Sequence, residues 1–288
     1  MAFETERGNV TRVDAEISAV AAPAFVEKSK ALAHCAKDTF PANNDVKRFS
    51  KDGSFVAGTL AESSPYTFDS GDEFVESSVD VTAQTYVHIY KPTVQAERFA
   101  SDRANPAKLG PKQGEALARA LDATWLALIS SFTSNTAIDA GAAMSKDALL
   151  DAQVAVHSAL NLDEQLHVIM SRAHRNEIRK ELTNTTATAF SQSMMLQTVV
   201  QKISPQGFVG EFSDMLIFNT SGLPTGGGDT LGLTFHPLYA FCMAYDPTIY
   251  SRGQFQASGG LFTELASWMF ANVAEFVDAA GVITKADT

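Results

Sequence analysis

Five carboxylates, Asp69, Asp72, Glu73, Glu76 and Asp80, crowd one stretch of the chain, and no lysine or arginine interrupts residues 61–80. Such a run can hold a cation or dock on a basic surface. Its spacing does not match a calcium-binding loop, which draws its oxygen ligands from fixed alternate positions. Two readings remain: a solvated acidic arm, or an arm that docks on a basic neighbour. The clearest basic patch is Arg172, Arg175, Arg179 and Lys180, set at helical spacing. It serves equally as a solvated helix face, a seat for another chain's acids, or a weak contact to nucleic acid.

Other chemistry is sought and not found. Gly226-Gly227-Gly228 lacks the Lys-Ser/Thr that a phosphate-binding loop needs, and it leads into a strand rather than a helix. A flexible surface loop over Thr220–Gly232 is the expectation. His167 and His174, the nearest pair among the six histidines, lack the four-residue spacing that puts two ligands on one helix face. Cys35 and Cys242 match no metal or redox spacing and are expected to be reduced and packed. There is no Gly-x-Ser-x-Gly elbow, no Ser-x-x-Lys and no Cys–His motif. No catalytic residue, cofactor or metal site is expected.

Composition narrows the classes. With 45% hydrophobic and 19% charged residues in 288, the chain is globular and long enough for a sizeable core. A net charge of −11 disfavours a protein whose task is to grip nucleic acid by its phosphates. The acidic N-terminus Met-Ala-Phe-Glu-Thr-Glu-Arg lacks an apolar signal core, and no apolar run approaches the roughly twenty residues of a membrane helix. A cytoplasmic product without a membrane partner is expected.

These residues need elements to position them. The strongest is Gly110–Phe132, where Leu117, Leu121, Trp125, Leu128 and Phe132 form one helical stripe and Leu126 and Ile129 widen it. Pro111 suits the first helical position. Lys112, Gln113, Glu115 and Arg119 keep the first half wet. This is a long strut that needs cover on two flanks, with Trp125 and Phe132 the most buried.

Before the strut, residues 1–45 read as a polar tail and two short helices. The first is capped by Asp14 and runs up to Pro23; the second carries Phe25, Val26, Leu32, Ala33 and Ala36. Val46–Phe49, Gly53–Thr59 and Val81–Tyr90 read as strands, with the acidic run between them as a two-stranded arm. An arm of that kind has little core of its own and needs a partner to lie on. After a small-residue linker at 133–144, Ser145 caps a helix with Leu149, Leu150, Val154 and Leu160 inward. Leu166–Met170 is a buried strand, Arg172–Leu182 a basic helix, and Gly207–Gly210 and Met215–Phe218 are further strands. Leu238–Tyr245 and Phe270–Val277 close the chain as strands, the second anchored by Trp268. Alternation of this kind makes an α/β unit after the strut.

This order of parts resembles the tailed-bacteriophage major capsid protein of the Hong Kong 97-like fold. Gly58-Thr-Leu-Ala-Glu-Ser-Ser and the ribbon after it look like the extended E-loop of that family. Thr93-Val-Gln-Ala-Glu-Arg-Phe-Ala-Ser-Asp looks like the step into the spine helix. Ala148–Leu160 with His167–Ser171 looks like the start of the axial (A) domain, and Phe212–Pro224 like the strand and loop that close it. The resemblance implies an α+β fold. An N-terminal arm takes 1–45, and the E-loop with flanking peripheral (P) domain strands takes 46–102. The spine helix and linker take 103–144, the A domain 145–235, and strands returning to the P domain 236–288.

It further implies a virion shell protein assembled in host cytoplasm, tiling an icosahedral head as hexamers and pentamers around double-stranded DNA bound without sequence specificity. A separate scaffolding protein, a portal at one vertex and a decoration protein are the implied partners. On this reading Asp69, Asp72, Glu73 and Glu76 dock on Arg98, Arg103 or the Arg172–Lys180 helix of an adjacent subunit. Some relatives join an E-loop lysine to a neighbour's asparagine. Residues 61–80 hold no lysine, with only Lys51 and Lys91 near the base, so no such crosslink is expected. An encapsulin, a shell that encloses cargo enzymes, is the alternative of related architecture. An α/β hydrolase or other small-molecule enzyme is the alternative of a different class.

Overall fold

The computed structural model describes residues 2–42, 44–51, 77–90, 106–141, 143–184, 208–256 and 261–287. Asp69, Asp72, Glu73, Glu76, Arg98 and Arg103 lie outside the described residues, as does the strand expected over Gly53–Thr59.

The strut is helix α3, Pro106–Ala127, which tightens into a 3₁₀ turn over Leu128–Ser131. (Helix α1 is Ala2–Lys28 and α2 is Ala31–His34.) Leu117, Leu121, Trp125, Ile129 and Phe132 are all buried, Trp125 and Phe132 among the largest fully buried side chains. The helix begins earlier than the stripe suggests, so Pro106 takes the first position and Pro111 sits inside. Gln113 is buried rather than wet, at 2% exposure. The cause is α1, which lies along this half of α3 and replaces water. Gly110 and Gly114 admit it: a β-carbon on Gly110 would come within 2.9 Å of Val20 Cβ.

Helix α1 corrects the expectation of two short pieces. It is one helix and runs through Pro23. A proline there removes one backbone hydrogen bond. Burial of Ile17, Ala21 and Phe25 on a single stripe holds the helix across it. Ala36, expected in a second helix, instead opens strand β1, Ala36–Thr39.

Strand β1 runs parallel to β11, Phe241–Tyr245, with Ala36 opposite Cys242. Beyond β11 lies the long β13, Leu261–Glu275, which also pairs with β12, Tyr250–Gln256, and with β4, Gln84–Tyr90. Helix α3 packs on this five-stranded sheet on one side and on α1 on the other, so both flanks of the strut are covered within the chain. The strand expected over Val81–Tyr90 divides at Ala83. Its first part joins β3, Ser77–Thr82, which pairs with β2, Val46–Lys51. That hairpin is packed at its base: Val81 clusters with Cys242 and Ala244, flanked by Phe40, Phe49 and Phe276.

A second, seven-stranded sheet follows the order β5-β14-β10-β6-β8-β7, with β9 on the side of β10. The strands are β5 Ile138–Asp139, β6 Leu166–Met170, β7 Phe208–Phe212, β8 Met215–Asn219, β9 Thr225–Gly226, β10 Asp229–Phe235 and β14 Gly281–Asp287. Two expectations change here. The loop over Thr220–Gly232 is largely the β9–β10 hairpin, turned by Gly227 and Gly228 at φ +71° and +104°. Two consecutive positive φ angles match a type I′ turn, which glycine adopts without strain. The segment 236–288 does not return as one block: β11, β12 and β13 join the five-stranded sheet, and β14 pairs with β10.

Helix α4, Lys146–Leu160, covers the outer face of this second sheet. Ser145 Oγ accepts from the Ala148 amide at 3.2 Å, the expected cap. Ala148, Leu149, Ala152 and Val156 form the buried stripe, whereas Val154, expected inward, is 63% exposed. Helix α5, Arg172–Asn184, follows β6 as expected.

Candidate subunit-contact surfaces and the joint between the sheets

Helix α5 sorts its charges by face. Glu177 Oε2 accepts the Met144 amide at 2.9 Å and Glu181 Oε2 the Lys146 amide at 2.8 Å. Its acids thus satisfy amides around the N-terminus of α4, where negative charge is also favoured by the helix dipole. Ile178 and His174 are buried. Arg172 and Lys180 are exposed, and Arg175 is half-buried with Nη2 donating to Asn176 Oδ1 at 3.2 Å. Arg179 lies on the same helix, its side chain outside the described residues. Of the four residues of the basic patch, Arg172 and Lys180 thus lie at the surface. Asp80 belongs to no free acidic arm: its two carboxylate oxygens accept from Arg48 Nε and Nη2 at 2.8 and 3.0 Å, in register across β2 and β3.

Two further surface features were not singled out in the sequence. The outer face of the five-stranded sheet carries an apolar patch. Val87 pairs with Trp268 and Ile89 with Ala266, and the Tyr250 ring stacks on Trp268 at 5.9 Å. Val87 and Ile89 are each about half exposed. At a corner of the seven-stranded sheet, Asp229 lies directly opposite Asp287 with Asp139 nearby. Burial and these two carboxylates together raise the Asp229 pKa.

The chemistry concentrated in the interior is structural. His167 and His174 are not a pair: His167 faces His34, with Nδ1 to Nδ1 at 3.0 Å. His34 stacks on Trp125 at 5.2 Å, its ring plane tilted by only 6°. His236 Nε2 meets Glu164 Oε2 at 2.8 Å. Asp122, the one acid on the buried stripe of α3, takes Ser29 Oγ at 3.1 Å, the Lys30 amide at 2.9 Å and the Ala31 amide at 3.0 Å. Burial raises its pKa, against the pull of those hydrogen bonds and of Lys30. Lys30 Nζ donates to Thr220 Oγ1 at 3.1 Å. An ionisable residue among Leu121, Trp125 and Leu126 was the available sequence signal for Asp122. His34 and His167 stand too far apart in sequence for any local pattern to join them.

Cys35 and Cys242 are both free and buried. Register brings them close, since Cys35 precedes the residue opposite Cys242, yet they pack in different clusters. Burial raises the Cys35 pKa and pushes Cys242 up to about 12, so both are held as unreactive thiols. Among the described residues no group of three or more His, Cys, Asp or Glu side chains is arranged to hold a metal ion, and no helix is long and apolar enough to cross a membrane.

Comparison with family models finds no match, and comparison with curated proteins finds none. Solved structures do match. The capsid of Ralstonia phage GP4 is 12% identical, with a TM-score of 0.62 over 88% of this chain and 85% of that one. The capsid of a native GTA particle is 11% identical, with a TM-score of 0.62 over 90% and 91%. The encapsulin of the holo-SrpI complex from Synechococcus elongatus PCC 7942 is 9% identical, with a TM-score of 0.53 over 88% and 85%. The chain has the α+β, Hong Kong 97-like fold of phage capsid proteins.

Proposed function

We propose that this chain is the major subunit of a tailed-bacteriophage capsid, a structural protein that assembles with copies of itself. The observation that carries the reading is the fold, shared with phage capsids over most of both chains. In this reading α1, α3 and the five-stranded sheet form the peripheral part of the subunit, and α4, α5 and the seven-stranded sheet form the axial part. The subunits close as hexamers and pentamers around double-stranded DNA, with a separate scaffolding protein, a portal and a decoration protein as partners. The net charge of −11 suits a wall that DNA slides past rather than one that grips it.

Contacts between subunits follow from charge. Asp69, Asp72, Glu73 and Glu76 of one subunit meet a cationic surface of the next, formed by Arg98, Arg103 or the Arg172–Lys180 helix. Such pairing fixes register and speeds encounter more than it adds affinity.

The encapsulin reading is favoured by one observation, the likeness to an encapsulin over most of the chain. One experiment tests both. The protein is expressed alone and with its scaffold, imaged by negative stain, and its particles are assayed for nuclease-protected DNA and for enclosed protein. Shells that enclose no cargo enzyme are expected, with protected DNA in them only where the portal and DNA-packaging machinery are supplied as well. Shells with a cargo enzyme and no DNA favour the encapsulin, and a monodisperse monomer under both conditions defeats the shell reading.

A further inference from the structure

Residues 29–35 are a short segment bolted to three parts of the fold. Asp122 of α3 holds Ser29, Lys30 and Ala31. Lys30 Nζ reaches Asn219 O at 3.4 Å and Thr220 Oγ1 at the end of β8. His34 lies between Trp125 of α3 and His167 of β6, and its ring also meets Phe218 edge-on at 4.3 Å. The segment therefore ties the spine helix and its five-stranded sheet to the seven-stranded sheet. We propose that it is a proton-operated clasp: protonation of the facing His34–His167 pair releases the segment from the helix and strands it bridges. This rests on the interior geometry alone and not on the shell reading.

The contact between the two Nδ1 atoms is possible only with one proton between them. His34 Nε2 is buried with no hydrogen-bond partner. A bare nitrogen there costs less than an orphaned N–H, which assigns the shared proton to His34 Nδ1 and makes His167 Nδ1 the acceptor. A proton added to His167 Nδ1 turns two N–H groups toward each other at 3.0 Å. Among the described residues the new charge has no uncommitted acid to meet it. The charged or titratable groups acting on the pair are Lys30 on its own segment and His236 beyond His167, while Cys35 adjoins His34 in the chain and Asp122 acts on Cys35. Asp122 is committed to Ser29, Lys30 and Ala31, and Glu164 to His236.

The direction agrees. Burial first, then His167 and Lys30, lower His34 to about 3. Burial and then His236 lower His167 to about 4. An opened clasp would return both toward the ordinary value of about 6.5. Both folded values lie below that, so the closed form is fully favoured above about pH 6.5 and loses ground as pH falls toward them. Between these limits the open population rises about tenfold per pH unit for each imidazole.

Cys35, next to His34, reports the opening. On a Cys242→Ser background the full chain is treated with 4,4′-dithiodipyridine from pH 7 to pH 4.5, with rates corrected by those of the unfolded chain. Labelling of Cys35 is expected to rise at least about tenfold while far-UV circular dichroism stays constant, and His167→Gln is expected to weaken that pH dependence to the share of the one imidazole left, His34. Protection of Cys35 that ends only when secondary structure is lost would overturn the proposal. So would an unchanged pH dependence in His167→Gln, or in His34→Gln should the first variant not fold.

Discussion

Gly114 of the spine helix lies under α1 so closely that a β-carbon would overlap the Ala21 carbonyl oxygen and come within 2.9 Å of the Phe25 amide nitrogen. Backbone cannot yield as a side-chain tip can. Gly114→Ala should therefore force α1 away from α3 and cost about 1–3 kcal/mol, in the range of overpacked cores. Gly110→Ala, facing Val20, should do less. Urea unfolding midpoints of the two variants check the order, and an unchanged midpoint for Gly114→Ala would contradict the packing.

Asp122 supplies acceptors to a hydroxyl and two backbone amides of the 29–31 segment. Asp122→Ala orphans them and should cost about 1–3 kcal/mol, with Asp122→Asn milder because one acceptor oxygen remains. Hydrogen exchange of the Lys30 and Ala31 amides should accelerate before that of the sheet amides. Equal acceleration everywhere would mean the residue supports the fold only globally.

Asp278 titrates in the opposite structural sense from Asp122. Partial burial would raise it, but donors from Ser134 and Thr133, at 2.6 to 3.3 Å, outweigh that and hold it below the ordinary carboxylate value. A depressed acid stabilises above its unfolded pKa and loses that contribution as pH falls through the folded one. Asp278→Asn should be less stable than the parent at pH 7 and converge on it near pH 2. Thermal melts at both values decide this.

Exposed charges should matter to assembly and not to folding. Reversing Arg172 and Lys180 to Glu should leave the melting temperature of the free subunit within a few degrees, as surface changes do. On the proposed docking, it should reduce the yield of shells, as should reversal of Asp72 and Glu73 to Lys. The combined charge swap should recover assembly if the helix is the partner. Normal shells from the Asp72/Glu73 variant would remove the acidic arm from the contact.

The absence of lysine from residues 61–80 leads to a simpler expectation. Mature particles boiled in detergent should run as single subunits on a denaturing gel. A ladder of covalent oligomers would show that Lys51, Lys91 or another lysine forms the bond after all.

What the sequence determined by itself was local. The 3.6-residue period from Leu117 to Phe132 specified a helix buried on two sides, because side-chain spacing decides which residues share a face. Ser145 announced its helix through a cap that acts within three residues, and Leu166–Met170 declared a buried strand by its unbroken apolar run. The ordered set of parts was enough to suggest the capsid fold. Tertiary structure decided whatever depends on what lies opposite. Pro23 and Pro111 read as boundaries until packing of α1 on α3 carried both helices through them. Gln113 read as wet because its neighbours are polar, and α1 covers it. The Gly227–Gly228 turn became a hairpin because β10 found β14 and β6 as partners. His34 and His167 carry no shared signal along the chain. Only the closure of one sheet unit on the other brings their nitrogens to 3.0 Å, and loop closure over such a separation is set by the whole core rather than by either residue.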